Sequence, residues 1–444
     1  MGQRVSGIAA WLRRRIKHRG VLQLVAGTAV AQLVLVAVSP ILTRLYTPSD
    51  FGLFALYVSI VFFGNSVASL RYEFAIPLPQ EDEEGRQLLY LTMLITGAFA
   101  TVTLLLILLG RTTFAGWLGE PRFATYLWIV PLGLFFESVR VATRQCAIRF
   151  KNYRTLAWND AGQAFLRAAG QVSLGFAPIT SGLIVGDLVG RIGGASALLF
   201  NAVPGFGQTV RATRFGHLRT LAGRYRRFAI LSTPATLLNS MTQYVPIVLL
   251  TRYYGLTVAG FYAFSQRLVG LPLLILGKSI LQVYFGRAAE LRRSGTRSIK
   301  RLFIRTLRGT LLIGLFVIAP IGLVGSFITP SIFGEAWTEA GIYLRILLPM
   351  YIIQFAATSV GLTLAVMERQ DLHLRREIFR LVTKMGLLGG VIFAKGSSQT
   401  AIWALSMAGS LGYGVHLWTS WVAVRTPQSG VVDGALSSST EFEK

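Results

Sequence analysis

Apolar residues run through this chain in long blocks, separated by short polar and basic segments. Twelve blocks stand out, roughly 21–43, 51–70, 87–110, 124–143, 156–176, 179–202, 228–251, 255–283, 303–329, 341–366, 377–394 and 400–423. A helix needs about 20 mostly apolar residues to cross a bilayer. Only helices and closed barrels satisfy their backbone there, and barrel strands are short and alternating, about ten residues each. The pattern therefore predicts an all-α integral membrane protein with twelve transmembrane helices. Before the first block, Val5, Ile8, Trp11, Leu12 and Ile16 recur at helical spacing beside Arg13, Arg14, Arg15, Lys17 and Arg19. That predicts a short amphipathic helix on an anionic leaflet. The block from Val21 is too long for a signal-peptide core, and no small-residue cleavage site follows it, so it is expected to remain in the mature chain. The stretch from Thr426 is Ser/Gly-rich and predicts a disordered tail.

Composition fits that picture. Of 444 residues, 53% are hydrophobic and only 14% charged, against about 25% charged in soluble domains. The formal charge is nevertheless +25, from 44 Lys and Arg against 19 Asp and Glu. Such an excess signals either nucleic-acid binding or basic cytoplasmic loops. The distribution decides. Thirty of the 44 basic residues lie in the two ends and every second connecting segment, and five (Arg44, Arg111, Arg122, Arg252, Lys395) lie in the alternate ones. This asymmetry predicts cytoplasmic termini and excludes a nucleic-acid partner, because no single soluble face collects the charge. The one cysteine, Cys146, excludes an intrachain disulfide framework and reads as a small buried residue.

The chain repeats itself once. Thr43-Arg44-Leu45-Tyr46 and Gly52-Leu53-Phe54-Ala55 match Thr251-Arg252-Tyr253-Tyr254 and Gly260-Phe261-Tyr262-Ala263 at a constant offset of 208. Six spans separate the copies, so both halves keep one orientation. The expected organisation is an N-terminal segment 1–20, an N-lobe 21–202, a basic linker 203–227, a C-lobe 228–423 and a cytoplasmic tail 424–444. Two parallel-oriented six-helix lobes imply a central cavity between them.

Catalytic signatures are missing. The four histidines are isolated, no Asp-x-Asp pair occurs, and the loops predicted to be outer are too short for a catalytic domain. Gly270 to Lys278 has the look of a P-loop, but Pro272 stands where its first glycine belongs. The informative residues are charges inside spans, which usually face a bundle interior or a wet cavity. Glu137 and Arg140, and Asp187 and Arg191, are spaced as helix-face ion pairs; Arg167 has Asp160 within reach or snorkels. Arg305 and Arg308 are expected to snorkel to the inner face. Arg267, Lys278, Arg345 and Lys384 have no carboxylate at helical spacing in their own spans. They are the candidates for a cationic cavity, which would take an anion; a guanidinium suits phosphate best.

Two stretches carry a family resemblance. Pro40 to Gly52, followed by Leu70-Arg71-Tyr72-Glu73-Phe-Ala-Ile76-Pro-Leu78-Pro, resembles the opening signature of bacterial polysaccharide-biosynthesis flippases, the O-antigen and exopolysaccharide exporters of the multidrug/oligosaccharidyl-lipid/polysaccharide superfamily. Phe333-Gly334-Glu-Ala-Trp337, with Ala340-Gly341 and Leu347-Leu-Pro349, resembles a second signature. The resemblance implies movement of an undecaprenyl-pyrophosphate-linked glycan across the bacterial cytoplasmic (inner) membrane by alternating access, with no enzymatic activity and no bound cofactor. Polysaccharide polymerase or export machinery would be a partner, besides anionic lipids. Phe264-Ser265-Gln266-Arg267-Leu268 also resembles lipid II flippases, where an arginine at that place meets headgroup phosphates; that role carries to Arg267. Arg71 corresponds more loosely to cavity arginines there. Near span 1 the match fails, because Leu24 to Val38 holds no arginine. Energy would come from an H+ or Na+ gradient acting through Glu137, Asp160 or Asp187, or from the membrane potential. A cation-coupled multidrug exporter and a membrane polymerase or ligase are the alternatives. A major-facilitator transporter is disfavoured, since Arg71 to Arg86 lacks its Gly/Asp/Arg motif.

Overall fold

The computed structural model describes residues 23–177, 181–293, 299–367 and 369–425, and they contain helices and no strand. In chain order the main helices are α1 (Gln23–Leu45), α2 (Pro48–Ala68), α3 (Asp82–Trp117), α4 (Ile129–Arg149), α5 (Tyr153–Gly175) and α6 (Gly182–Ala202). Two short helices, α7 (Phe206–Ala212) and α8 (Phe215–Arg224), follow. Then come α9 (Thr233–Arg293), α10 (Ile299–Phe333), α11 (Thr338–Ser359), α12 (Gln370–Phe393) and α13 (Ser398–Arg425). Each of the twelve apolar blocks falls on a helix. Two of them share α9, which breaks at Gly255, a glycine at φ 86° where a side chain would be strained. Seven segments are long and apolar enough, by length and composition, to cross a membrane. Helices α4, α5, α12 and α13 are not among these seven; α4, α5 and α12 carry several charged side chains. The expected N-terminal amphipathic helix lies outside the described residues, as does the tail from 426; residues 424–425 are the last two of α13.

Local chemistry explains the opening signature. Pro48 occupies the first turn of α2, where its missing N–H costs nothing. Thr47 caps that turn: its hydroxyl accepts from the Asp50 N–H, and the Asp50 carboxylate accepts from the Thr47 N–H at 2.9 Å. In α1, Pro40 cannot donate to the preceding turn and the helix is irregular at Val38. At the other end of α2, Leu70 and Arg71 turn the chain with left-handed φ of 48° and 62°. Glu73, which is buried, accepts from the Ser69 hydroxyl at 2.6 Å, and the Tyr72 hydroxyl donates to the Ala222 carbonyl at 2.9 Å. The acidic run after it holds the linker: Glu83 meets Arg86 and Thr209, and Glu84 meets Arg224. Cys146 is buried in the apolar cluster that lines this end.

The repeated segments pack on each other. Helix α2 crosses the second arm of α9 (256–293) with backbone against backbone. A Cβ on Gly52 would overlap the Leu256 carbonyl, and one on Gly260 would overlap the Pro48 carbonyl. Residue 256 is the repeat mate of 48, and 260 of 52, so the crossing has local twofold character. The two signatures meet beside it. Trp337 is buried, its indole N–H donates to the Thr43 carbonyl at 3.1 Å, and it packs on Phe51 and Phe264 at ring distances of 4.8 and 4.5 Å. Arg252 closes the same end by donating to the Gly116 carbonyl at 2.9 Å. All these contacts lie at the end that the Lys/Arg asymmetry predicts to be outer.

Replacing Gly260 by Val should prevent that closure. Overpacking a tight contact costs about 1–3 kcal/mol, roughly a 5- to 150-fold fall in the closed-to-open ratio. With Ala55→Cys as reporter in a Cys146→Ala chain, labelling of intact cells by an impermeant thiol reagent should rise at least fivefold. Labelling unchanged by Gly260→Val would show that the crossing does not hold this end shut.

Candidate functional site

A cavity of about 480 Å³ lies between α2, both arms of α9, α11, α12 and α13. The closed crossing sits above it. Arg267 lies twelve residues along the second arm of α9 from the Gly255 break, about 18 Å at the helical rise. The lining is mixed. Phe51, Phe54, Tyr244, Tyr351 and Tyr413 supply aromatic faces, and Gln243, Gln266 and Gln354 supply amides. Its charged members are Arg267, Arg380 and Lys384, and no carboxylate is among the described lining residues.

Two of these cations have neutral partners only. Arg267 Nη2 donates to the Leu35 carbonyl at 2.5 Å, reaching from the second arm of α9 to α1. The Ser39 hydroxyl donates to the same carbonyl at 2.8 Å, next to the helix irregularity at Pro40. Lys384 donates to the Thr242 carbonyl at 2.9 Å. Neither cation has a carboxylate partner among the described residues. Arg380 differs: it donates to Glu377 at 2.8 Å and stacks over Tyr413, and Glu377 also takes two bonds from Arg376. The cluster of Arg376, Glu377 and Arg380 therefore keeps one surplus positive charge at the cavity wall.

The remaining candidates lie elsewhere. Arg345 is exposed and does not line the cavity. Arg71 sits in the turn after α2, with its guanidinium 3.3 Å from Glu73 and over the Phe74 ring at 4.1 Å. The Lys278 side chain lies outside the described residues. Arg380 was missed because charge-dense residues 369–380 read as a cytoplasmic segment; α12 begins inside that segment and carries Arg380 one turn before Lys384 on the same face.

Of the three candidate coupling carboxylates, Glu137 and Asp187 belong to one ion-pair network across α4, α5 and α6, and Asp160 forms a separate pair between α4 and α5. Arg191, 1% exposed, donates to Asp187 at 2.5 Å and to Glu137 at 2.7 Å. Arg140 holds the other Glu137 oxygen at 2.5 Å. Arg167 approaches Asp187 to 2.9 Å, although the pair is not aligned as a hydrogen bond. So the two same-helix pairs anticipated from spacing are joined by Arg191 into one network. Arg167 does not pair with Asp160: that carboxylate takes Arg144 at 2.7 Å and the Thr28 hydroxyl of α1 at 3.0 Å. The network reaches the cavity through ring stacking. The Arg191 guanidinium lies 5.0 Å from the centre of Phe62, which stacks at 5.8 Å on Tyr244 of the cavity wall.

Comparison with known proteins adds three findings. The family model described as "Polysaccharide biosynthesis protein" matches residues 41–341. The succinoglycan biosynthesis transport protein ExoT of Rhizobium meliloti (strain 1021) is 25% identical over 312 residues, 68% of this chain. The alignment spans 59% of that relative's length. Among solved structures, the lipid II flippase MurJ in an inward closed conformation superposes with a TM-score of 0.69 at 11% identity, covering 91% of this chain and 90% of that one. An inward-facing multidrug resistance MATE family transporter of the MOP superfamily gives 0.56 at 13% identity, covering 91% and 95%. These relatives are transporters and flippases, not enzymes.

Removing one partner from a buried ion-pair cluster strands the other charges, at about 3–5 kcal/mol. Arg191→Leu should therefore sharply lower the melting temperature of the detergent-purified protein. Arg345→Ala, on an exposed side chain, should leave it unchanged. Equal melting of the two variants would show that the network contributes no stability.

Proposed function

The chain belongs to the polysaccharide biosynthesis protein family, and from that premise we propose that it flips an undecaprenyl-pyrophosphate-linked oligosaccharide across the bacterial inner membrane. The carrying observation is the cavity wall, where Arg267 and Lys384 meet carbonyls alone. Neither cation is offset by a carboxylate among the described residues, and a pyrophosphate supplies the missing anion. Arg380 would add a third contact. The cavity's amides and aromatic faces suit sugar hydroxyls and the apolar faces of sugar rings, while the prenyl tail stays in lipid. Polymerase or export machinery would take the glycan on the far side.

The Arg267–Leu35 bond suggests how binding is coupled to motion. A ligand shifts a conformational equilibrium only through differential interaction with the two states. A phosphate oxygen that takes the Arg267 donor removes a bond between the lobes and frees α1. The N-lobe and C-lobe then separate at one end as they close at the other.

For energy coupling, we favour the membrane potential acting on the positively charged cavity. Glu137, Asp160 and Asp187 are each bonded to arginine, so H+ or Na+ would have to displace a guanidinium. The multidrug reading, in which a cavity takes organic cations, conflicts with a wall whose described charged residues are all basic.

Arg267→Ala and Lys384→Ala should each reduce glycan export at least tenfold with normal membrane insertion, and lipid-linked oligosaccharide should accumulate on the cytoplasmic leaflet. Arg345→Ala should export normally. Wild-type export by Arg267→Ala would overturn the assignment. In proteoliposomes, collapsing the potential with valinomycin and potassium should slow flipping severalfold. Flipping that instead follows a sodium or pH gradient alone would return the coupling role to the carboxylates.

A further inference from the structure

A second cavity opens on the outside of the N-lobe, away from the transport cavity. It has a volume of about 560 Å³ and lies between α5 and α6. These helices pack closely because glycines of α6 face α5: a Cβ on Gly186 would strike the Gln171 backbone, and one on Gly190 the Arg167 Cβ. Further toward the linker a trough is lined by Gly162, Gly193, Gly194 and Ala197; Gly162 faces open space, while Gly193 and Gly194 are covered by the Leu166 and Gln163 side chains. Arg154 stands at one end and Leu166 at the other, twelve residues apart on α5, or about 18 Å. That is roughly one leaflet of a ~30 Å hydrocarbon core.

The trough is graded along its length. Arg154 is exposed at the mouth, at the end predicted to be cytoplasmic, with no hydrogen bond or ion pair among the described residues. Trp158, 71% exposed, stands one turn deeper, the usual depth for an interfacial tryptophan. Two amides follow at the base. Asn159, 8% exposed, donates to the Gly194 carbonyl at 2.7 Å but leaves its Oδ1 without a partner. Gln163, 9% exposed, lines the trough with no hydrogen bond among the described residues. Beyond them the wall is apolar, with Phe165 and Leu166. Such amides are costly facing hydrocarbon unless something hydrogen-bonds to them.

We propose that this trough is a binding site for a phospholipid of the inner leaflet with a phosphate and a hydroxyl-bearing headgroup, of the phosphatidylglycerol class. Arg154 takes the phosphate, the amides take headgroup or glycerol oxygens and hydroxyls, and one acyl chain lies along Gly162 toward Leu166. The leaflet-deep length fits an acyl chain. A polyprenyl tail would overrun it.

Gly162 provides a clean test, because a Cβ there meets nothing within 4 Å. Gly162→Leu fills the trough without touching the helix contact, and Arg154→Ala removes the charge. The full-length protein is reconstituted in nanodiscs of equal phosphatidylglycerol and phosphatidylcholine, and lipid retained after detergent transfer is counted by native mass spectrometry. The wild type should retain phosphatidylglycerol in at least fivefold preference. Each variant should lose that preference while keeping the wild-type melting temperature, and Arg267→Ala should keep it. Retention without headgroup preference, or preference undiminished in both variants, overturns the site. Recovery of a polyprenyl phosphate at this trough from cell-purified protein overturns the phospholipid assignment while leaving the transport reading intact.

Discussion

The lobes meet through bare backbone where α2 crosses the second arm of α9, and the central cavity depends on that contact. Gly52 and Gly260 let each helix place a carbonyl where a side chain would otherwise stand. A contact of this kind is short, stiff and narrow. It closes one end of the molecule while leaving the helices free to diverge below it, and the space so opened is lined by Phe54, Tyr244, Gln354 and the basic residues. Trp337 wedges its ring between Phe51 and Phe264 and takes the Thr43 carbonyl as acceptor, which fixes the angle of the crossing. Both ends of that arrangement come from the sequence segments that identify the family.

Charge inside the membrane follows a different rule in each half. In α4, α5 and α6 every buried carboxylate meets at least one guanidinium, and Arg191 ties Glu137 to Asp187. A cluster whose carboxylates are all paired holds its helices in one arrangement. In α9 and α12, Arg267 and Lys384 meet carbonyls, which are dipoles and cancel no charge, while Arg376 and Arg380 share the single Glu377. Two halves with a shared repeat have thus diverged, one toward a frame of paired charges and one toward a cavity wall whose described charged residues are all basic. The Phe62 and Tyr244 rings bring the two within stacking distance, so the frame positions the wall.

Much of this was legible in the chain alone. Length and apolarity located the long helices, though not α7 and α8 in the linker, because a segment in lipid must bond its own backbone. The 208-residue offset identified the residues that meet at the crossing, though not that they meet. Arg267 and Lys384 were recognisable as cations with no carboxylate in helical reach. Partners across helices were not legible. Arg167 pairs with Asp187 rather than Asp160, and Asp160 takes Arg144 and Thr28, because side-chain direction on a packed helix depends on its rotation. Arg380 was hidden for a related reason. Counting Lys and Arg assigns a segment to one side of the membrane, but a helix that starts within the segment carries its later residues into the core.

The same limit bears on Arg71, which sits in a family signature and reads as a ligand. Its backbone is left-handed, its guanidinium is spent on Glu73 and Phe74, and the neighbouring Tyr72 anchors the turn to the linker. An arginine so engaged shapes the inner end of α2, whereas Arg267 is bonded to a single carbonyl beside a proline-disrupted turn. The difference is one of exchange. A phosphate arriving at Arg71 would have to displace a carboxylate and an aromatic face, while at Arg267 it displaces one neutral acceptor that Ser39 still satisfies. A recruitable cation in a cavity is one held weakly by dipoles in the absence of ligand, and among the described arginines of the cavity wall Arg267 meets that condition.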